Sequence, residues 1–122
     1  MTEAEHILTV LSGLRIPPQP EEYEIHRMIA DALTRADLDF IHECRLLPGR
    51  RIDFLCGRTG VEVKKGRPDS AVLQQQLQKY LECDRLDSVI VVLQRPCRLP
   101  AQIADKPVYT LALNRLWGVA LP

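Results

Sequence analysis

A mixed central sheet flanked by helices, in an α/β chain, is the fold this sequence predicts, and three observations predict it. Ser88 to Leu93 reads SVIVVL, the unbroken β-branched run of a strand buried on both faces. Before it, Ser70 to Cys83 carries Val72, Leu73, Leu77, Tyr80 and Leu81 in one helical stripe, and a helix feeding a buried strand implies a parallel crossover. Earlier still, Ile52 and Phe54 alternate with Arg51 and Asp53, and Val61 and Val63 with Glu62 and Lys64. Two strands of a hairpin, each with an apolar and a charged face, are expected there.

The remaining elements follow in chain order. Residues 3–12 carry Ile7, Leu8, Val10 and Leu11 at helical spacing before Gly13, a short helix for packing or pairing. Ile16-Pro-Pro-Gln-Pro20 is a stiff spacer, which puts a boundary between residues 1–20 and a main domain over residues 21–122. From Glu21 to Ala36, the stripe Ile25, Met28, Ile29, Ala32, Leu33 and Ala36 predicts a second helix, with Glu22 and Glu24 in the turn where the helix dipole favours acids. His26 on that helix reads as a surface or packing residue. Residues 39–46 alternate as a strand, with Phe40, His42, Cys44 and Leu46 on one face. Asp69 or Ser70 caps the third helix. One helical turn is expected at residues 101–105, a strand at Val108–Leu113, and Trp117–Leu121 on or beside the sheet, with Trp117 in the core.

Composition narrows the function classes. Hydrophobic content of 46% and charged content of 26% are those of a globular domain, and no apolar run approaches a membrane span. The opening MTEAEHILTVLSGL has acids where an export signal needs bases, so a cytoplasmic protein is expected. Cys44, Cys56, Cys83 and Cys97 form no CxxC pair, the pattern of reduced thiols rather than structural zinc. Sixteen basic and sixteen acidic residues cancel, which argues against coating nucleic acid by bulk charge. The charges are segregated, however. Residues 1–31 hold six acids against two arginines, whereas residues 45–67 hold seven bases against only Asp53 and Glu62, a basic rim around an acidic centre.

That centre is the chemically informative part. A four-residue loop from Gly57 to Gly60 would set Cys56 opposite Val61 and Asp53 opposite Lys64, diagonal to Glu62. Two carboxylates brought together repel, and a divalent cation relieves the repulsion while gaining hard oxygen ligands; magnesium suits such a site. Beside it, Lys64 can contact a phosphate or an attacking water. On spacing alone the same residues also fit the wet face of an ordinary hairpin.

The order of a helix with an early Glu, three strands carrying Arg51-Ile-Asp53 and Glu62-Val-Lys64, a helix with Gln76-Leu-Gln-Lys-Tyr80, and a strand resembles the PD-(D/E)XK nuclease superfamily over residues 21–93. Gln76 and Tyr80 look like the QxxxY motif of its recombination-exonuclease branch, while Ile52 stands where Pro often precedes the Asp. The resemblance implies a restriction-endonuclease-like αβββαβ core and a nuclease-like domain at 21–122. It implies Mg2+ or Mn2+ held by Asp53, Glu62 and the carbonyl of Val63, with Lys64, Gln76 and Tyr80 in the catalytic machinery. It also implies a first-helix Glu completing the site: Glu22, with Glu24 in reserve. Phosphodiester hydrolysis in DNA is the expected activity, with Arg51, Arg58, Lys65 and Arg67 binding the backbone. Specificity would come from a homodimer, DNA shape or a partner. The alternative is a catalytically inactive nuclease-fold module that binds nucleic acid or a protein.

Overall fold

The computed structural model describes residues 1–113, and the reading of Trp117–Leu121 lies outside them. The elements are α1 (Glu3–Ser12), α2 (Glu22–Arg35), β1 (Ile41–Leu47), β2 (Arg50–Cys56), β3 (Thr59–Lys64), α3 (Ser70–Leu81), β4 (Ser88–Leu93), β5 (Gln102–Ile103) and β6 (Lys106–Ala112). The six strands form one mixed sheet in the order β1-β2-β3-β4-β6-β5. β1, β2 and β3 pair antiparallel, whereas β4 lies parallel to both β3 and β6, as the crossover through α3 requires.

Each face of the sheet is covered. Ile7 and Leu11 of α1 and Ile25, Ile29 and Leu33 of α2 pack on Phe54, Cys56, Val61, Val63, Ile90 and Val92. Leu73, Leu77, Tyr80 and Leu81 of α3 pack on Ile52, Leu55, Val89, Val91 and Leu93. All six residues of β4 are buried, the pattern its β-branched run predicts. Val72 departs from the expected stripe of α3: it is 63% exposed, one position before the inward-facing Leu73. Leu14 and Ile16 of the spacer join Ile7 and Leu11 of α1 in the same core cluster as α2. Among the described residues no helix is long and apolar enough to cross a membrane.

Two turns differ from expectation. The β2–β3 loop has two residues rather than four, so Cys56 pairs with Thr59 and Phe54 with Val61. Gly57 at the first loop position takes φ +62°, which a two-residue hairpin demands and glycine supplies. Continued by one step, this register sets Asp53 opposite Glu62 instead of Lys64. The slip is an even number of residues, so no side chain of β3 changes face. At residues 101–105 there is a second hairpin in place of a helical turn: Ala104 and Asp105 have φ +53° and +62°, and Ile103 pairs with Lys106. Paired positive φ angles are the signature of a primed two-residue turn. Nothing in the local composition announces one, since Ala is a poor residue for that conformation.

Strict alternation also fails, and at the position that matters most. Phe40 packs on the α2 face and His42 stacks there on Phe54, whereas Cys44 and Leu46 pack on the α3 face. Ile52 and Phe54, two residues apart on β2, likewise belong to opposite faces. Between them lie Glu43, with φ +54°, and Asp53, facing each other in the β1–β2 register. A left-handed residue inside a strand reverses the pleat locally, so Asp53 sits where β2 switches its buried face.

Candidate active site

The sheet forks at Asp53. β2 stays paired with β1 as far as Arg50, while β3 stays paired with β4 as far as Lys64, but β2 and β3 pair only from Phe54–Val61 to the turn. Side chains replace the missing ladder bonds. The Val63 N–H donates to Asp53 Oδ2 at 2.7 Å, and the Asp53 N–H donates to Glu62 Oε1 at 3.2 Å. The Lys64 carbonyl accepts from the Gln94 N–H, which turns the Lys64 backbone toward the β4 side. Strand alternation then turns both the amide and the carbonyl of Val63 toward Asp53, where the expected carbonyl ligand would have to be.

Glu62 is the most constrained member. It is only 4% exposed, its Oε2 lies 3.2 Å from Lys64 Nζ, and it accepts from Gln76 Nε2 at 3.2 Å. Gln76 also donates to Tyr80 Oη at 3.0 Å, and the Tyr80 hydroxyl donates to the Arg51 carbonyl at 2.8 Å. The one-turn spacing of Gln76 and Tyr80 on α3 thus ties the helix to both prongs of the fork. Burial raises the Glu62 pKa first, the Asp53 charge adds to the rise, and Lys64 only partly offsets them, leaving it at about 7. Asp53 is also raised, by burial first and by Glu22, against the Val63 hydrogen bond and His26. Burial and the Glu62 charge push the Tyr80 phenol up as well, so it serves as a neutral hydrogen-bonding group.

The first-turn acids of α2 separate cleanly. Glu24 Oε1 accepts the Glu21 N–H at 2.9 Å and is spent on capping. Glu22 is close enough to Asp53 for its charge to raise that carboxyl. One turn further on is a residue that sequence reasoning missed. His26, read as surface or packing, has a side chain 11% exposed, with Nε2 3.7 Å from Asp53 Oδ2 and Nδ1 2.8 Å from His42 Nε2. Its Nε2 is buried without a hydrogen-bond partner among the described residues. The available signal was its four-residue spacing from Glu22, which puts both on one face of α2. Beside it, Glu22, Tyr23, His26, Arg27, His42 and Glu43 line a cleft of about 410 Å³ between α2 and β1.

The basic residues divide in two. Lys64, Lys65, Arg67 and Arg51 are near the fork by chain position; Arg51 Nη1 lies 3.8 Å from Glu43, and Lys65 Nζ 3.7 Å from Glu21. Arg58 lies at the turn, the opposite end of the hairpin and six residues of strand from Lys64, on the order of 20 Å. Its guanidinium binds both Asp87 oxygens, at 2.8 and 3.0 Å, and the Asp84 carbonyl.

Among the described residues no group of three or more His, Cys, Asp or Glu side chains is arranged to hold a metal ion. The chemistry of the donors, rather than their present arrangement, suits a divalent cation: two largely buried carboxylates with raised pKa values, a third carboxylate at Glu22, and a buried imidazole nitrogen with no hydrogen-bond partner among the described residues. Compared with known proteins, the chain matches no family model, no curated protein and no solved structure.

Proposed function

We propose that the chain is a metal-dependent nuclease with a restriction-endonuclease-like core, hydrolysing phosphodiester bonds in DNA. What carries the reading is the fork itself: Asp53, Glu62 and Lys64 meet where β2 leaves β3, with Gln76 and Tyr80 locking Glu62 from α3. The order α2, β1, β2, β3, α3, β4 supports it, being the αβββαβ sequence of that core.

In this reading Asp53, Glu62 and the Val63 carbonyl would hold Mg2+ or Mn2+, with Glu22 and His26 of α2 as further candidate donors. The bound ion supplies Lewis acidity at the phosphate and a water that deprotonates near neutral pH. Gln76 and Tyr80 fix the rotamer of Glu62, so that its carboxylate is aimed before substrate arrives. Lys64 exchanges its contact with Glu62 for the phosphate or the attacking water, placing a cation where negative charge grows. Lys65, Arg67 and Arg51 attract the flanking backbone without reading bases.

The test is incubation with linear, circular, branched and single-stranded substrates in Mg2+, Mn2+ or chelator, comparing wild type with Asp53→Ala. Cleavage that needs the ion and is lost in the variant supports the reading. Retained binding without cleavage by wild type in either ion would make the chain a binding module instead.

A further inference from the structure

We propose that His42 is a positioning residue that sets the tautomer of His26: it accepts the His26 Nδ1–H and so leaves His26 Nε2 as a bare nitrogen donor turned toward Asp53. This rests on the reading of Asp53 as a cation ligand.

The two rings meet at 2.8 Å between His26 Nδ1 and His42 Nε2, so one of those nitrogens carries the shared proton. The choice fixes the far side of His26. If His42 donated, neutral His26 would carry its own proton on Nε2, buried and facing a carboxylate. A charge-assisted N–H···O contact closes to about 2.8 Å, yet Nε2 and Asp53 Oδ2 stand 3.7 Å apart, beyond hydrogen-bond range, and Nε2 has no other partner among the described residues. If neutral His26 donates, Nε2 keeps its lone pair. Two lone-pair donors hold apart until something positive lies between them. Donors about 2.1 Å from one ion stand roughly 3.0–3.6 Å from each other at angles of about 90–120°, close to the observed gap.

His42 is held for this role by stacking on Phe54, with centroids 4.6 Å apart and planes at 21°, while His26 packs on the same ring at 5.4 Å. The left-handed Glu43 that follows His42 ends the α2-facing part of β1, so the imidazole is the last side chain of that strand on the site's side. A histidine ligand whose other nitrogen donates to a fixed acceptor has its orientation and basicity set by that acceptor. An imidazole in the ligand set also shifts the metal preference toward Mn2+ and later transition ions, relative to an all-oxygen site that suits Mg2+.

The experiment has two arms on the whole chain at neutral pH. Long-range 1H–15N correlation of the metal-free protein reads the His26 tautomer directly; we expect the proton on Nδ1, and a proton on Nε2 overturns the proposal without any variant. Calorimetry with Mn2+ alone then compares wild type, His42→Phe, His42→Gln and Asp53→Ala. His42→Phe keeps the stack but removes the acceptor, and should weaken Mn2+ binding about 10-fold. His42→Gln puts a carbonyl oxygen near the lost nitrogen and should restore most of it. Unchanged affinity in folded His42→Phe overturns the proposal while Asp53→Ala still weakens binding. If Asp53→Ala binds Mn2+ as wild type does, the metal-site reading fails and takes this inference with it.

Discussion

The two ends of the β2–β3 hairpin carry similar ingredients and use them in opposite ways. At the turn, Glu3 of α1 accepts from the Arg58 N–H at 3.0 Å and from Thr59 Oγ1 at 2.9 Å. There Thr59 and Ser88 hydroxyls meet at 3.3 Å, and Arg58 grips Asp87 with two hydrogen bonds. Charges there have partners from the chain itself: the Arg58 hydrogen bond holds Asp87 below its ordinary range. At the fork, Asp53 and Glu62 have partners but stand buried beside each other with pKa values pushed up, and His26 Nε2 is buried with no hydrogen-bond partner among the described residues. Charges paired at the surface mark structure; two buried carboxylates held together beside an unpartnered imidazole nitrogen mark a candidate for something from outside.

The largest test of that contrast is Lys64 against its neighbour Lys65. Lys64 lies 3.2 Å from buried Glu62, whereas Lys65 is exposed and paired with Glu21. A group placed to meet charge that develops in the transition state is worth far more than one that attracts substrate in the ground state. We therefore expect Lys64→Ala to lower single-turnover cleavage at saturating DNA by about 100- to 1,000-fold. Lys65→Ala should cleave at nearly the wild-type rate once saturated. Equal rates would dissolve the distinction between site and rim.

Stability against pH should run in opposite directions at the two ends. Glu62 has a folded value of about 7 against an ordinary 4.5, so between those limits the folded state holds a proton that the unfolded chain has released. Its contribution to stability is complete below about 4.5 and is lost as pH rises through about 7. For a carboxyl this buried the loss is on the order of a few kcal/mol. Asp87, with a lowered value, contributes stability that disappears only as pH falls through its acid range. Urea midpoints of the metal-free protein should fall from pH 5 to pH 8, and Glu62→Gln should flatten that fall while Asp87→Asn leaves it unchanged. A rising midpoint in wild type would mean that Glu62 is not held in a desolvated, repelled state.

How legible this was depends on the length scale of the pattern. Period-two alternation placed Glu62 and Lys64 on one face of β3, and the slip to a two-residue turn could not disturb it because the slip was even. Gln76 and Tyr80 were readable from helical spacing, and they do meet Glu62. The pleat reversal at Glu43 and Asp53 was not readable, since a glutamate is a poor advertisement for positive φ. The reversal lets Asp53 reach both the Val63 amide and the α2 side, with His42 and Phe54 left on the α2 face beside His26. A lone histidine on a helix has no periodic signature; only the meeting of α2 with β1, sixteen residues on, gives His26 its role.

The first turn of α2 repeats the contrast on a smaller scale, with one acid spent on capping and one whose charge acts on Asp53. Glu24 accepts the Glu21 N–H, and the Glu22 charge raises the Asp53 carboxyl. Glu22→Gln should weaken Mn2+ binding about tenfold in calorimetry, the size of effect expected from a group at the margin of a metal site. Glu24→Gln keeps a capping oxygen and should bind Mn2+ as wild type does. The reverse ranking would hand the ligand role to Glu24.

The smallest expected effect asks whether the hairpin's basic residues form one surface or two. Arg58 and Lys65 look equivalent in a count of charges around Asp53 and Glu62. Arg58, however, is the better-bonded cation, held by Asp87 and the Asp84 carbonyl at the end remote from the fork. Lys65 has only a 3.7 Å contact with Glu21, next to the proposed ligands, and can leave it for a phosphate. Each phosphate contact made by a protein cation releases counterion and contributes about 0.9 to the slope of log K against log salt on duplex DNA. Lys65→Ala should lower that slope by about one contact, equally for unrelated duplexes, because backbone charge carries no sequence. Arg58→Ala should leave the slope untouched and instead lower the urea midpoint, since it frees Asp87 and uncaps the link between the turn and β4. Titration of both variants across a salt series decides it. A slope lost with Arg58 as with Lys65 would mean that DNA lies along the whole hairpin, and that the turn is satisfied only until a polyanion arrives.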